Sequence, residues 1–305
     1  MTALLPSDSP ADLPTDRGVV LPEAIGFREL VDRYEAVLFD AYGVLVNASG
    51  ALPGAAQAVA HMNARGQPFL IVTNDASRSP ERVCARFARL GIMIRPEHVM
   101  SSGMLIGPAL VEHGLGNARV TVLGTPDSAD YARAVGAEVV EPSVRNPADA
   151  VVIADEGGFD TLNDLDSLLN MVLAACRAGR PPRLLLANPD LVYPAGPGTF
   201  GLTAGALALL IERALGLLLH EDAPRFELLG KPAARHFETA LAGVNTRDAV
   251  MLGDTLHTDI EGANGVGIAS ALLLTGVTLE QQVADAVRRG HAEHVPRYVL
   301  RDLLG

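Results

Sequence analysis

The chain carries carboxylate, hydroxyl and ammonium side chains at points where apolar runs end or helical patterns begin. In chain order these residues are Asp40, Thr73 with Asn74, Lys231, and the acidic pair Asp254 and Asp259. A carboxylate can attack an electrophilic centre or bind a metal ion, and a hydroxyl and an ammonium can hold the charge of an anion. Any one of them could be a turn or a helix cap. All of them in this order favour a shared chemical site.

The apolar runs ahead of these residues predict how they are positioned. The run 36–39 is apolar throughout and ends at Asp40, a pattern typical of a buried parallel strand. Similar runs precede Thr73 and Asp254, and Lys231 stands just before a predicted helix. In open α/β sheets, ligands bind beyond the carboxyl ends of the strands. We therefore expect Asp40 to lie at a ligand-binding edge of a parallel sheet.

Strand-like runs alternate with helical patterns along the chain. The first part predicts strands at 36–40 and 68–73 and helices near 54–65 and 79–90. This alternation indicates a parallel sheet with right-handed crossovers. A second α/β set follows, with predicted strands at 119–123, 138–140, 150–153 and 183–186 and predicted helices near 127–135, 161–178 and 202–215.

The spacing of the candidate residues predicts where a second domain is inserted. Only 33 positions separate Asp40 from Thr73, which is enough for one strand–helix–strand unit and no more, whereas over 150 separate Thr73 from Lys231. We therefore predict three parts of the chain, a flexible N-terminal tail at 1–25, a core domain at 26–102 plus 223–305, and a cap domain at 103–222.

Four segments of the chain resemble the signature motifs of a known superfamily. They are FDAYGVL (39–45), IVTN (71–74), GKP (230–232) and GDTLHTDIEGANGVG (253–267). These segments are similar to the motifs of the haloacid dehalogenase (HAD)-like hydrolases, which use an aspartate nucleophile. The chain most resembles subfamily IIA, the NagD-like and pyridoxal-phosphatase-like branch. The resemblance implies an α/β fold with a doubly wound, Rossmann-like parallel sheet and an inserted α/β cap of the C2 type.

The resemblance also implies a role for each candidate residue. Asp40 would attack the phosphorus of a small phosphorylated metabolite and form an aspartyl-phosphate. Thr73 and the backbone of Asn74 would hydrogen-bond the phosphoryl oxygens. Lys231 would neutralise charge and steady Asp40. The implied enzyme is a phosphatase of small phosphate monoesters, and a homodimer formed through the cap fits the same resemblance.

A metal site is implied by the same motifs. Asp40, the backbone carbonyl of Tyr42 and Asp254 match the metal ligands of the family, and Asp259 supports or joins them. Hard oxygen ligands of this kind favour Mg²⁺. The alternative for Asp254 and Asp259 is a turn followed by a helix N-cap.

Tyr42 departs from the pattern of the phosphatases in this superfamily. They carry a second aspartate two positions after the nucleophile, which protonates the leaving group and then activates water. A phenol titrates near ~10, so Tyr42 is neutral at pH 7 and a poor base for water, although it can donate a proton to a leaving alkoxide. We expect formation of the aspartyl-phosphate to be less impaired than its hydrolysis. The aspartyl-phosphate should therefore turn over slowly.

Two alternatives follow from Tyr42. The dehalogenase branch has the similar stretch FDAYG, in which the aspartate attacks a halogen-bearing carbon without a metal. Its cap follows the first motif, where this chain has no room, and the fourth motif here keeps both carboxylates. The other alternative is a catalytically weak relative that binds a phosphometabolite. Steady-state turnover with Mg²⁺ separates that relative from an enzyme.

Two further features concern the cap and the histidines. The segment 187–190 (ANPD) resembles a cap-region segment of the same branch, and Asn188 and Asp190 are candidates for substrate selection. A plain surface turn is the alternative. The 8 histidines are not expected to cluster into a site, and His257 is expected to be a solvent-exposed loop residue.

The composition excludes several classes of protein. The formal net charge of −12 disfavours nucleic acid or an anionic membrane as a partner but not a phosphorylated small molecule. No apolar stretch reaches the ~18 residues that span a bilayer, and the first residues lack the basic region of a secretory signal. The 2 cysteines lack metal-ligand spacing. We therefore expect a cytoplasmic protein.

Overall fold

The computed structural model of the chain describes residues 21–196 and 198–305. Its strands, numbered along the chain, are β1 (Glu23–Ala24), β2 (Ala36–Phe39), β3 (Val46–Asn47), β4 (Gly50–Ala51), β5 (Phe69–Thr73), β6 (Val99–Ser101), β7 (Arg119–Leu123), β8 (Glu138–Val139), β9 (Ala150–Ile153), β10 (Arg183–Leu186), β11 (Val192–Gly196), β12 (Thr199–Leu202), β13 (Glu227–Leu228), β14 (Ala249–Gly253), β15 (Ala269–Leu273) and β16 (Tyr298–Leu300).

Helices alternate with these strands, as the sequence predicts. They are α1 (Phe27–Asp32), α2 (Ala55–Arg65), α3 (Pro80–Arg89), α4 (Ile106–Glu112), α5 (Pro126–Arg133), α6 (Thr161–Arg177), α7 (Ala204–Leu219), α8 (Ala234–Val244), α9 (Glu261–Gly265) and α10 (Glu280–Arg289).

The larger sheet has 7 strands in the order β1-β16-β15-β14-β2-β5-β6. All of its neighbouring strands pair in parallel. Every residue of β2, β5 and β14 is buried, which explains why these segments are continuous apolar runs and not alternating ones. The order places β2 between β14 and β5, so the ends of these three strands lie side by side. The predicted α/β fold with a parallel sheet is confirmed.

The smaller sheet has 5 strands in the order β13-β10-β9-β7-β8, also parallel. Strands β7, β9 and β10 have the bounds that the apolar runs predict. Strand β13 pairs with β10 of this sheet, although it falls after position 223, where the predicted core resumes. The domain boundaries therefore stay a prediction.

Hydrophobic packing joins the two sheets. One cluster covers a face of the larger sheet with α2 and α3. A second runs from β2 and β5, through α4 and α8, to β9 and β10 of the smaller sheet. A third lies beneath α6 and α7 on the smaller sheet. Because the second cluster is continuous, the smaller sheet is held against the larger one by buried apolar contact.

The first and last parts of the described chain meet at one edge of the larger sheet. Strand β1 pairs with β16, with Glu23 opposite Tyr298. Residues 1–20 of the predicted flexible tail lie outside the described residues. Among the helices of the described ranges, none is long and apolar enough to cross a bilayer.

A buried histidine lies where α8 packs on β6. His236 is fully buried, and its Nε2 lies 3.0 Å from the backbone carbonyl oxygen of Met100. Since that carbonyl only accepts, Nε2 carries the proton. Burial lowers the pKa of His236 to about 3. A histidine in the unfolded chain titrates near ~6.5. The neutral form therefore contributes stability that is present above pH ~6.5 and is lost as the pH falls toward the folded pKa.

We expect the free energy of unfolding to fall as the pH drops below ~6.5, with His236 contributing up to about 1.4 kcal/mol per pH unit. The variant His236→Gln keeps an N–H donor but cannot titrate in this range. Urea unfolding of both proteins at pH 7 and pH 5 measures the effect, and the variant should lose less stability between the two. Equal losses of unfolding free energy in the two proteins would show that His236 does not contribute to the pH dependence of stability.

Candidate active site

Three polar residues lie together at the carboxyl ends of adjacent strands. Asp40 follows β2, Thr73 ends β5, and Asp254 follows β14. Their exposed fractions are 7%, 3% and 2%. The backbone N–H of Asp40 donates to the carbonyl of Leu252 at 2.9 Å, which holds the loop after β2 against β14. All three side chains line one cavity of about 390 Å³.

Lys231 joins the carboxylates of this cavity. Its Nζ donates to Oδ1 of Asp40 at 2.6 Å and to Oδ1 of Asp259 at 2.7 Å. Only 1% of Lys231 is exposed. The ammonium therefore bridges two buried carboxylates that come from different ends of the chain.

Asn74 positions Lys231 through its side chain. Oδ1 of Asn74 accepts from the backbone N–H of Lys231 at 2.8 Å, and Nδ2 donates to the backbone carbonyl of Lys231 at 3.0 Å. This paired arrangement fixes the loop before α8 on the end of β5. The Asn74 side chain is therefore engaged in holding Lys231, and only the backbone of Asn74 is left to bind a substrate anion.

The fourth motif forms a turn that brings its two aspartates together. Residues Leu256–Ile260 form a π-helical turn that leads into α9. Asp259 Oδ2 accepts from the backbone N–H groups of Asp254 and Thr255, each at 3.1 Å. Asp254 in turn accepts from the Thr255 hydroxyl at 3.0 Å and from the Val277 N–H at 2.7 Å. Turns of this type are frequent at functional sites.

A divalent cation fits the acidic group of the cavity. Carboxylate oxygens of Asp40, Asp254 and Asp259 lie within 4.8 Å of one another, and all three residues are buried. Lys231 supplies one positive charge against three carboxylates. Buried charges without partners are costly, so this excess of negative charge favours a cation with hard oxygen ligands. Tyr42, two positions after Asp40, also lines this cavity.

Burial and mutual repulsion shift the pKa values of the aspartates upward. Burial raises the pKa of Asp254 to about 7, with Asp259 as the next cause. Burial also raises the pKa of Asp40, and although Lys231 opposes this, Asp259 and Asp254 keep the pKa well above its usual range. Burial alone would lower the pKa of Lys231, but Asp259 and Asp40 raise it, so the ammonium stays charged. A cation beside the aspartates would favour their ionised form and lower these pKa values.

Tyr42 lines the cavity as a neutral phenol. The guanidinium of Arg86 lies 5.0 Å from the centre of its ring, and the ring of Tyr193 lies 6.3 Å away in an edge-to-face arrangement. Burial raises the pKa of Tyr42 above that of a free phenol. The expectation that Tyr42 is neutral at pH 7 therefore agrees with its surroundings.

Asn188 and Asp190 also line the cavity, on the loop after β10. Asn188 Oδ1 accepts from the backbone N–H of Asp190 at 3.1 Å, and Asp190 Oδ1 accepts from Asn74 Nδ2 at 3.1 Å. Burial raises the pKa of Asp190 to about 6. The loop is thereby tied to the same asparagine that positions Lys231. Selection of the substrate by these two residues stays a prediction.

Sequence reasoning missed an acidic pair on the other wall of the cavity. Asp155 and Glu156 follow strand β9 and line the cavity with Arg78 and Arg86. Burial raises the pKa of Glu156 to about 7, and Asp155 adds to the shift. Both residues follow an apolar run, as Asp40 does. The rule that ligands bind beyond the carboxyl ends of strands would have found them.

The expectation that the histidines do not cluster is wrong for three of them. His257 is solvent-exposed, as expected, but its Nδ1 lies 3.1 Å from Nε2 of His294. The ring of His291 lies 5.9 Å from that of His294. His257 is distant in sequence from His291 and His294. The two segments meet because the turn before β16, which carries His294, packs against the fourth motif.

Comparison with known families and proteins agrees with this geometry. The family described as "Haloacid dehalogenase-like hydrolase" matches residues 37–138, and the family described as "HAD-hydrolase-like" matches residues 228–305. Chronophin from Bos taurus is 30% identical over 286 residues, which cover 90% of this chain and 93% of chronophin.

Solved structures give the same result. A protein titled as a possible sugar phosphatase of the HAD superfamily, from Cytophaga hutchinsonii, matches with a TM-score of 0.79 at 30% identity, over 93% of this chain and 99% of its own. A glycerol phosphate phosphatase from Mycobacterium tuberculosis, solved in complex with magnesium, matches with a TM-score of 0.71 at 28% identity, over 92% of this chain and 78% of its own. It has also been solved in complex with calcium.

Gly276 offers a test of the cation site in which no carboxylate residue is replaced. A Cβ at Gly276 would lie 1.7 Å from Oδ2 of Asp254, so Gly276→Ala must displace that carboxylate. Return of the displaced carboxylate to the ion would incur an overpacking cost of about 1–3 kcal/mol, so we expect a loss of roughly 5- to 150-fold in the affinity for a divalent cation. Calorimetric titration with Mg²⁺ measures the change.

The matched control is Gly216→Ala in α7, where a Cβ would meet no atom within 4 Å. This variant should bind the cation as the wild type does. Equal affinity in Gly276→Ala and the wild type would argue against Asp254 as a ligand.

Proposed function

This chain belongs to the haloacid dehalogenase-like hydrolase family and is a phosphatase, and on that premise we propose that it hydrolyses small phosphate monoesters with Mg²⁺. The observation that supports this most directly is the buried group of Asp40, Asp254 and Asp259 around Lys231. This group combines a nucleophile, the fixed ammonium of Lys231 and a set of hard oxygen ligands in one cavity. A phosphoryl group needs all three, because its charge is spread over several oxygens.

In the first step, a carboxylate oxygen of Asp40 attacks phosphorus. The bond from phosphorus to the leaving oxygen breaks, and an aspartyl-phosphate and an alcohol result. Lys231 holds Asp40 in place through the contact of 2.6 Å, and Asp259 holds Lys231 through the contact of 2.7 Å. Because the loop before α8 is fixed by Asn74, little reorganisation is needed when the substrate enters.

Thr73 is positioned to bind the phosphoryl group. Its Oγ1 accepts from the backbone N–H of Asp75 at 3.2 Å, which orients the hydroxyl and leaves its proton to donate. Thr73 is almost fully buried at the floor of the cavity. A donor in such a place interacts more strongly with an anion than it would in water.

Mg²⁺ would be held by Asp40, the backbone carbonyl of Tyr42 and Asp254, with Asp259 in support. These are oxygen donors, which suit Mg²⁺ better than imidazole or thiolate would. When bound, the ion neutralises charge on the phosphoryl group and on the carboxylates. The upward shifts in the pKa values of Asp40 and Asp254 support this assignment, since a bound cation would favour the ionised form of both carboxyls.

Tyr42 makes the second step the slow one. Water must attack phosphorus of the aspartyl-phosphate and lose a proton, which releases inorganic phosphate and regenerates Asp40. The neutral phenol of Tyr42 is a poor acceptor for that proton. It can still donate to the leaving oxygen in the first step, and the phenolate then regains a proton from water, because its pKa lies well above neutral pH. The aspartyl-phosphate should therefore accumulate.

A dimer formed through the cap is also part of the proposal. Leu210 and Leu217, seven residues apart on one face of α7, are 60% and 76% exposed. Exposed leucines on one helix face supply an apolar surface on which a second copy can pack.

Release of inorganic phosphate tests the proposed function. The assay uses glycerol 3-phosphate, a sugar phosphate and 4-nitrophenyl phosphate, each with Mg²⁺ or with a chelator. We expect Mg²⁺-dependent release from at least one ester, and a loss of roughly 10³-fold or more in Asp40→Asn, because removal of a nucleophile has effects of this size or larger. The control is Asp166→Asn, which changes an exposed aspartate of α6.

Two results would contradict the proposal. Chloride release from chloroacetate without a metal, together with no phosphate release, would identify a dehalogenase. The absence of turnover in both assays, with retained binding of a phosphorylated ligand, would identify a binding protein.

Pre-steady-state kinetics tests the role of Tyr42. With 4-nitrophenyl phosphate we expect a burst of about one nitrophenol per active site, followed by slow turnover. Tyr42→Asp introduces a base, and base catalysis contributes about 10²–10⁴-fold, so even partial restoration should raise the steady-state rate by about tenfold or more. Tyr42→Phe is the control that removes the hydroxyl without adding a base, so its steady-state rate should stay low. Equal rates for the two steps in the wild type would exclude Tyr42 as the cause of slow turnover.

A further inference from the structure

A second group of metal-binding side chains lies on the outer side of the fourth motif. His257 Nδ1 lies 3.1 Å from His294 Nε2, and His294 Nε2 lies 3.0 Å from Oε2 of Glu261. One ligand atom from each of the three residues falls within 4.8 Å of the other two. Neither histidine takes part in the proposed hydrolysis. The group therefore needs its own explanation.

The spacing of these atoms suits one shared metal ion. Zinc binds imidazole nitrogen at about 2.0–2.1 Å and carboxylate oxygen at about 2.0–2.2 Å, so two ligand atoms of a tetrahedral site lie about 3.3–3.5 Å apart. The contacts of 3.1 and 3.0 Å require only small side-chain movements to reach this value. Two histidines and one carboxylate, with water as the fourth ligand, form a common zinc-binding set.

The backbone segments that carry the three residues are already fixed. His257 lies on the π-helical turn Leu256–Ile260, and Glu261 begins α9. The side chain of Asn264, on the same helix, donates to the backbone carbonyls of Glu293 and Val295 at 3.0 and 3.1 Å. These bonds pin the turn that bears His294 to α9. A prearranged site loses less conformational entropy when an ion binds.

Two further ligands border the group. His291 Nδ1 lies 3.2 Å from Oε1 of Glu293, and both residues form a second set with His294. The group is open to solvent because His257, His291 and Glu293 are exposed. An ion can therefore enter without local unfolding.

We propose that His257, Glu261 and His294 form a surface site for a transition-metal ion of the Zn²⁺ type. Imidazole favours Zn²⁺, Cu²⁺ and Ni²⁺, whereas the all-oxygen group around Lys231 favours Mg²⁺. The bound ion ties the turn that carries Asp259 to the turn before β16 and so stabilises the folded chain. The proposal does not depend on the hydrolytic activity.

Equilibrium dialysis with Zn²⁺ in excess Mg²⁺ tests the proposal. The full chain is used as the wild type and as Asp254→Asn, in which the acidic site is weakened. We expect one Zn²⁺ per chain in both. Removal of a residue that only orients a ligand costs about 10- to 100-fold in affinity, so His257→Ala and His294→Ala, which remove ligands, should lose at least as much. His113→Ala, which removes a histidine paired with Glu227 elsewhere, is the control and should bind Zn²⁺ normally.

Thermal unfolding is the second readout. Zn²⁺ should raise the unfolding midpoint of the wild type and of Asp254→Asn but not that of His257→Ala, whose exposed side chain can be removed without disturbing the core. Binding that disappears in Asp254→Asn would place the ion in the acidic site and overturn the proposal. Unchanged affinity in both histidine variants would overturn it as well.

Discussion

The burial of Lys231 between Asp40 and Asp259 is the constraint on which the site depends. Taking these charges out of water is costly, and their pairing repays the cost only when every contact is in place. Removal of one partner from such a group costs about 3–5 kcal/mol, because it leaves a buried charge without compensation. The contacts of 2.6 and 2.7 Å therefore require that the loop before α8, the end of β2 and the turn after β14 meet accurately.

The same constraint couples the smaller sheet to the larger one. Asn74, at the end of β5, binds the backbone of Lys231 on one side and the carboxylate of Asp190 on the other. Asp190 follows β10 of the smaller sheet, so a single side chain joins the charge cluster to the wall of the cavity that faces it. A movement of the smaller sheet that opens the cavity would therefore act on Asn74, and through it on Lys231.

The sequence predicted the parts of the structure that depend on local pattern. Fully buried parallel strands need continuous apolar runs, so β2, β5 and β14 could be predicted from the sequence. The polar residues at the ends of these runs identified Asp40, Thr73 and Asp254 as candidates. Features that depend on tertiary contact were not visible. The edge strand β1 has two exposed residues and exists because β16 lies beside it. The cluster of His257 with His294 arises because the turn before β16 packs on the fourth motif, and sequence spacing carries no trace of that.

In the proposed reaction, Tyr42 affects one step, while the rest of the site supports both. Asp40 and Asp259 contact Lys231, and Asp254 lies in the same cavity, so the proposed formation of an aspartyl-phosphate would keep its main electrostatic support. The phenol lies against Arg86 and Tyr193 in the wall of the cavity, where burial keeps it neutral. A neutral group can give a proton but is a weak acceptor. Under the proposed mechanism, the cost of a tyrosine at this position therefore falls on the step in which water must be deprotonated, and the rate of that step would set turnover.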